Sequence, residues 1–296
     1  MTAMWFKGAK VAQANFATLP AAWRLSPWGH GCSPLLAPLM LVLINLDSAV
    51  ERRQAMARQL GQGHIPFARV GVDLRCVRPA QVNLQIAAHF ADLRFDRKAL
   101  SNPEIGCWLS HLSAWRLLLA QSEHASCTVI EDDLILLPGF AHVLKALNGR
   151  RRGDIAFGAH DASHLELIYL GTSSRNVSQR RRTQINGLSI HRPLGVIYNT
   201  WGYTVSRGYA ARFFASGPRT IGMPIDHFLG GRGGSLGPRT GVLQPAVVAE
   251  DPVLGAVSQI GPYTRRLDRL QCIETVRRRL LSSALGEFYY TLYRFL

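Results

Sequence analysis

The sequence predicts an α/β protein with a mostly parallel central sheet flanked by helices, and three observations carry that expectation. Residues 39–46 form an apolar run, interrupted by Asn45 alone, of the kind a strand buried on both faces requires. A stretch of helix formers and a second short strand follow it, which makes one β-α-β unit. A third run, residues 127–136, is β-branched and apolar around three adjacent carboxylates, Glu131, Asp132 and Asp133. A buried strand ending in this way delivers its acids at its C-terminal tip, where open α/β sheets bind ligands.

Composition bounds the rest. A chain of 296 residues with 47% hydrophobic and 18% charged residues is an ordered globular protein, long enough for one large α/β domain or two smaller ones. Its formal charge of +15 implies a polyanionic partner or surface: nucleic acid, anionic lipid or a phosphate-bearing substrate. The five cysteines, Cys32, Cys76, Cys107, Cys127 and Cys272, include no C-x-x-C pair. They suggest neither a zinc site nor a disulfide framework, and read as reduced thiols in a cytoplasmic protein. The longest apolar stretch, near 35–46, is broken by Pro38 and Asn45. It falls short of the roughly 18 residues a membrane span needs. The N-terminus also lacks the order of a secretory signal.

Taken in order, residues 1–38 hold Trp5, Trp23 and Trp28 among scattered Pro and Gly and read as an extension. The domain proper spans 39–260. After the first strand, Ser48 and Glu51 have capping-box spacing, and helix formers run over 49–60 to Gly61, a suitable residue beyond a helix end. A strand over 67–72 ends at Asp73, which groups Asn45, Asp47 and Asp73 on the ligand edge of the sheet. Residues 74–100 carry no clear pattern. Ser101 with Pro103 and Glu104 opens a helix through 119, whose Ile105, Leu109, Leu112, Trp115 and Leu119 recur at three and four and pack on the sheet. His111 and Arg116 on this helix either reach a ligand or are a satisfied core histidine and a snorkelling arginine.

After the acidic strand, Pro138-Gly139-Phe140 introduces a short helix to 147, and short strands are expected over 154–158 and 166–171. Residues 172–193, with Arg180-Arg181-Arg182, read as a polar loop or flap that is either solvated or neutralises phosphates. A strand over 195–205 and a helix over 206–215 follow. Pro224-Ile225-Asp226 opens another short helix, the glycine-rich 230–241 lacks Walker order, and 243–248 is a last strand. Residues 261–296 form a basic amphipathic helical segment with seven arginines. It is expected either to lie on an anionic bilayer or to pack on the domain.

Three carboxylates cannot sit together ionised without a compensating cation, and oxygen ligands suit Mg²⁺ or Mn²⁺. The plain alternative is an acidic turn that caps the next helix. What decides between them is the company of motifs: Ile44-Asn45-Leu46-Asp47, Glu51-Arg52-Arg53, Ile65-Pro66-Phe67-Ala68-Arg69-Val70, Val72-Asp73, Glu104-Ile105-Gly106-Cys107-Trp108-Leu109-Ser110-His111-Leu112, Ile130-Glu131-Asp132-Asp133 and Pro224-Ile225-Asp226. In this order they resemble glycosyltransferase family 25, the family of bacterial lipopolysaccharide and lipooligosaccharide β-galactosyltransferases, over about 39–260. The resemblance implies a GT-A type nucleotide-sugar fold, a UDP-galactose donor, a lipid-linked oligosaccharide acceptor and inversion at the sugar carbon. Leu74 stands where the family has Gly, and Asn199-Thr200-Trp201-Gly202-Tyr203 replaces its Gly-Thr-x-x-Tyr.

On that resemblance Asp133 is the direct ligand of a divalent metal, with Glu131 and Asp132 supporting the ion or contacting ribose. Asn45, Asp47 and Asp73 hold uracil and ribose, Arg52 meets a phosphate or stays on its helix surface, and His111 belongs to the donor pocket. Asp226 is the expected base for the acceptor hydroxyl, with His227, Asp161 and Glu166 as secondary candidates. The expected location is cytoplasmic, with peripheral attachment to the inner face of the membrane through the basic tail. Two rivals stay open: a non-catalytic α/β protein binding nucleic acid or an anionic surface, and a metal-dependent phosphohydrolase. No nucleic-acid motif appears, so no specific nucleic-acid partner is expected.

Overall fold

The computed structural model describes residues 40–148, 165–173 and 177–255. The extension expected over 1–38, the strand over 154–158, Asp161 and the basic segment over 261–296 lie outside the described residues. In chain order the elements are β1 (Leu41–Ile44), α1 (Val50–Gln62), β2 (Ala68–Val70), α2 (Pro79–His89), β3 (Arg94–Phe95), α3 (Asn102–Ala120), β4 (Ser126–Glu131), β5 (Leu134–Leu136) and α4 (Phe140–Asn148). They continue with β6 (Leu167–Tyr169), β7 (Val177–Ile185), β8 (Leu188–Pro193), β9 (Gly202–Ser206), α5 (Arg207–Ser216), β10 (Thr220–Ile221), α6 (Ile225–His227), β11 (Thr240–Gln244) and β12 (Val248–Glu250).

Eight strands form the central sheet in the order β2-β1-β4-β9-β6-β11-β8-β7. The pairs β1/β2, β1/β4 and β6/β11 are parallel, whereas β9 runs against both β4 and β6, and β8 runs against both β11 and β7. The expected mostly parallel sheet is therefore a mixed one: six strands share a direction and β8 and β9 oppose them. Alternation along each strand splits the core between the two faces. Val42, Val129 and Leu167 pack in one cluster with α3 and α5, while Leu41, Leu43, Ile130 and Ile168 pack in the other with α1 and α4. No helix among the described residues is long and apolar enough to cross a membrane.

Several local expectations are corrected. Residues 172–193 are not a flap, because β7 and β8 are an antiparallel hairpin at the sheet edge. Its turn is Asn186-Gly187, both at positive φ, and Asn-Gly is the dipeptide that tight hairpins favour because both positions need left-handed backbone. Residues 195–201 are not part of a strand, and β9 begins at Gly202. The expected last strand is two, β11 and β12, separated by Pro245, which has no N–H to give a ladder. The patternless 74–100 holds α2 and β3. At α1 the Ser48 capping box does not form: Ala49 is the N-cap residue without a side-chain cap, and Ser48 Oγ accepts from Arg75 at 2.6 Å. Gly61 stays within that helix, which ends at Gly63.

The Ser101 box does form. Ser101 Oγ accepts from the Glu104 N–H, and the Glu104 carboxylate accepts from the Ser101 N–H at 2.7 Å. The helix it starts, α3, is buried on more than the expected stripe, since Trp108, Ser110, His111, Ser113 and Leu118 are also inside. It docks backbone to backbone. A Cβ on Gly106 would stand 2.6 Å from the Val72 carbonyl oxygen. Ser110 Oγ accepts from the Val72 N–H at 3.0 Å and donates to the Gly106 carbonyl at 2.8 Å. Gly106→Ala is expected to cost about 1–3 kcal/mol through this clash, read as a lower urea midpoint with an unchanged slope.

Candidate active site

The tips of β1 and β4, the segment after β2, the start of α3, the loop before β9 and the start of α6 surround one cavity of about 340 Å³. Asn45, Arg52, Asp73, Arg75, Glu131, Asp132, Asp133, Thr200 and Asp226 line it. The three adjacent acids are held in three different ways. Asp132 is buried, and its two oxygens accept from Asn45 Nδ2 at 2.7 Å and Arg52 Nη1 at 3.1 Å, which ties β4 to β1 and α1. Burial pushes its carboxyl up, against the pull of Asn45 and Arg52.

Asp133 accepts from the same Arg52 Nη1 at 3.2 Å through Oδ2, while its Oδ1 is buried with no hydrogen-bond partner among the described residues. Burial first, then the charges of Glu131 and Asp132, push this carboxyl up to about 7. Glu131 Oε1 accepts from the Thr200 hydroxyl and lies 3.6 Å from His111 Nε2, an ion-pair distance too long for a hydrogen bond. Burial raises the Glu131 carboxyl, but His111, Thr200 and Arg52 outweigh it and hold it below the ordinary value.

Arg52 is the internal counter-ion of this group. Its guanidinium serves Asp132 and Asp133 through Nη1, and its Nη2 donates to the Leu254 carbonyl at 2.6 Å. Arg52→Met leaves one buried and one half-buried carboxylate, Asp132 and Asp133, without their cation. It is expected to destabilise the fold by about 3–5 kcal/mol, measured by urea unfolding at pH 8.

Asp226 lines the same cavity from the start of α6. Its Oδ1 accepts from the His227 N–H at 2.8 Å, and burial, reinforced by the charge of Glu131, pushes its carboxyl up to about 7. Trp108 of α3 places the segment, because its Nε1–H donates to the Met223 carbonyl at 2.8 Å just ahead of Pro224. The cavity thus brings together two carboxyls pushed up to about 7, Asp226 and Asp133, the second with an orphaned oxygen.

Residues 40–229 match the family described as Glycosyltransferase family 25 (LPS biosynthesis protein). The chain belongs to glycosyltransferase family 25. Over 195 residues it is 26% identical to a glycosyltransferase 25 family member of Drosophila melanogaster, covering 64% of this chain and 30% of that one. Over 197 residues it is 28% identical to procollagen galactosyltransferase 2 of Mus musculus, covering 64% and 29%. Over 193 residues it is also 28% identical to the inactive glycosyltransferase 25 family member 3 of Homo sapiens, covering 63% and 30%. The matched stretch therefore spans only about 30% of the length of these relatives.

In this family 25 chain, some of the residues expected from sequence meet in the cavity and others do not. Asn45, Arg52, Asp73, Glu131, Asp132, Asp133 and Asp226 line the cavity together. Asp47 does not; it is 61% exposed and ion-paired with Arg69 at 2.6 Å. His111 is fully buried behind the wall and meets the site only through Glu131. Arg116 stacks its guanidinium 4.0 Å from the Phe90 ring, the snorkelling alternative. Glu166 pairs with Arg212 at 2.9 Å on another part of the surface, and His227 is buried, its imidazole pushed down to about 4. Asp73 is held below the ordinary carboxylate value by hydrogen bonds from Arg75.

Three contributors were not anticipated. Arg75 fixes Asp73 through its Nε at 2.9 Å. Thr200 holds Glu131, and Tyr203 orients His111. The Tyr203 hydroxyl accepts from Trp115 Nε1 at 3.0 Å and lies 2.8 Å from His111 Nδ1. The signal was present: Thr200 and Tyr203 keep the Thr-x-x-Tyr spacing inside the stretch that departs from the family pattern.

Among the described residues no group of three or more His, Cys, Asp and Glu side chains is placed to hold a metal ion. Asp132 is spent on Asn45 and Arg52, and Glu131 is bonded to Thr200, which leaves the orphaned Oδ1 of Asp133 as the open ligand position. That donor set fits a hard cation that takes its remaining ligands from substrate phosphates and water, as Mg²⁺ commonly does.

Proposed function

We propose that this chain is an inverting hexosyltransferase that moves galactose from UDP-galactose to a hydroxyl of a glycan acceptor. The observation that carries the reading is one cavity lined both by Asp226 and by an acidic strand tip whose Asp133 keeps a buried oxygen with no hydrogen-bond partner among the described residues. Asp226 takes the proton of the acceptor hydroxyl as its oxygen attacks the anomeric carbon. The bond from that carbon to the diphosphate breaks from the opposite face, and the electron pair leaves with UDP. Asp73, on the edge of the sheet, holds the nucleoside as expected of a GT-A type site, with its carboxylate fixed by Arg75, while Asn45, its side chain bonded to Asp132 and Ala49, positions the strand tip. Bound Mg²⁺ or Mn²⁺, held by Asp133 with Glu131 beside it, would supply Lewis-acid charge to the leaving diphosphate.

Galactose as donor sugar is supported by the naming of the Mus musculus relative, and a lipopolysaccharide-type acceptor by the family description. Action on the cytoplasmic face of the membrane, where a lipid-linked acceptor is assembled, accords with the net charge of +15. That charge also favours a second reading, a non-catalytic protein that binds nucleic acid or an anionic surface. UDP release from UDP-galactose, UDP-glucose and UDP-N-acetylglucosamine separates the two. Turnover fastest with UDP-galactose is expected, and no UDP from any donor would leave the binding reading standing.

A further inference from the structure

A second and larger cavity, of about 1140 Å³, opens between the β7–β8 hairpin, α5 at Arg212 and the glycine-rich segment before β11. Arg182, Arg192, Arg212 and Arg239 line it, and among the described residues the one carboxylate in its lining is Glu166, so this lining is strongly cationic. Glu166 is already spent on the arginines: it accepts from Arg212 Nη2 at 2.9 Å, lies 3.4 Å from Arg239 Nη2 and accepts from the Arg239 N–H at 2.9 Å. It acts as a brace that points two guanidinium groups, and Arg212 is further steadied over the Tyr209 ring at 5.0 Å. Arg182 and Arg192, on the hairpin, make no ion pair with a carboxylate among the described residues. Guanidinium forks held in this way are the side chains that recognise phosphate and carboxylate.

The second cavity adjoins the first through the backbone. Val196 lines the basic cavity and Tyr198 lines the acidic one, two residues and so at most about 7 Å of chain apart. The turn that carries Gly230 seals against the same segment: the Ile197 N–H donates to the Gly230 carbonyl at 3.0 Å, and a Cβ on Gly230 would stand 1.7 Å from the Ile197 carbonyl oxygen. Arg232 Nη2 donates to the Tyr198 hydroxyl at 3.1 Å across this wall.

We infer that the basic cavity is an acceptor subsite that binds an anionic part of the glycan, a phosphate- or carboxylate-bearing sugar, while its terminal hydroxyl lies near Asp226. The identification of the ligand as the acceptor rests on the transferase reading above. The arginine-rich stretch of β7 and β8 then has a role that the chemistry of the first cavity leaves unassigned. Its volume, more than three times that of the acidic cavity, suits several sugar units and exceeds what an isolated phosphate needs.

The test is calorimetric binding to the full chain of three tetrasaccharides: neutral maltotetraose, maltotetraose monophosphate and tetragalacturonate. A short single-stranded RNA is a fourth probe. At least one anionic tetrasaccharide is expected to bind at least about tenfold more tightly than the neutral one, and the preference between them tells phosphate from carboxylate recognition. Arg182→Gln and Arg192→Gln should each weaken the anionic ligand about tenfold and leave the neutral one unchanged, the worth of one charge-assisted hydrogen bond. Arg239→Gln, on a different element, provides the same reading if the hairpin variants misfold by circular dichroism. Equal binding of neutral and anionic glycans, indifference to these substitutions, or RNA binding without glycan binding would each overturn the inference. Because binding is read without turnover, a chain that selects anionic glycans but releases no UDP from any donor would discard the transferase reading alone. A chain that turns over UDP-galactose without that selectivity would discard the subsite alone.

Discussion

Asp226→Asn is expected to lower kcat about 10³-fold while leaving the fold intact, because it removes the group that takes the acceptor's proton. The amide keeps an oxygen to accept from the His227 N–H, so the local turn has no reason to change. The wild-type pH profile follows from the same carboxyl. Asp226 is active when ionised and its carboxyl is pushed up to about 7, so kcat/KM should rise at least tenfold per pH unit from below, more steeply where Asp133 must ionise too, and level off above neutrality. Stability runs the other way. An acid whose folded value lies above its unfolded value binds its proton more tightly in the folded state. Its contribution is complete below the unfolded value of 3.8 and is lost as pH rises through about 7. The Asn variant lacks that penalty, so at pH 8 it should be more stable than wild type, and at pH 4 the difference should vanish. Urea titrations at both pH values check this, and a variant less stable at pH 8 would place Asp226 in a structural role instead.

Asp133→Asn is the second large effect, with transfer expected to fall about 10²- to 10³-fold, the usual loss when one stabiliser of developing negative charge is removed. Folding should survive. Asp133 Oδ1 has no hydrogen-bond partner among the described residues, and Arg52 keeps its bond to Asp132. A chelator in excess should lower wild-type transfer to a similar degree, with Mn²⁺ or Mg²⁺ restoring it and restoring the Asn variant far less. Full wild-type activity in chelator would sink the metal assignment and leave Asp133 to contact ribose or acceptor.

Legibility in the sequence followed how local the determinant was. The acidic strand tip was readable because an apolar run meeting three acids is a contiguous pattern, and β4 ends at Glu131 as that pattern requires. Ser101 could be assigned as a cap because its partner Glu104 is three residues away. Ser48, with the same spacing to Glu51, failed as a cap because Arg75, 27 residues on, engages its hydroxyl instead. The direction of β9 was not legible, since parallel or antiparallel pairing is set by which neighbours a strand meets and leaves no mark on its own residues. The separate fates of Glu131, Asp132 and Asp133 were also hidden, because Thr200, Asn45 and Arg52 come from three other parts of the chain. The β7–β8 hairpin is different: its Asn186-Gly187 turn was in plain view, and the high arginine content around it masked the signal.

The central claim, attack by an acceptor hydroxyl that Asp226 deprotonates on the face opposite the diphosphate, is tested most directly by the anomeric configuration of the product. UDP-galactose carries its sugar in the α configuration, so proton NMR of the purified product of the wild-type chain should show a β-galactosyl linkage formed together with UDP, and the Asp226→Asn chain should yield almost none. An α-linked product, or a β-linked product formed equally well by the Asn variant, would contradict the account.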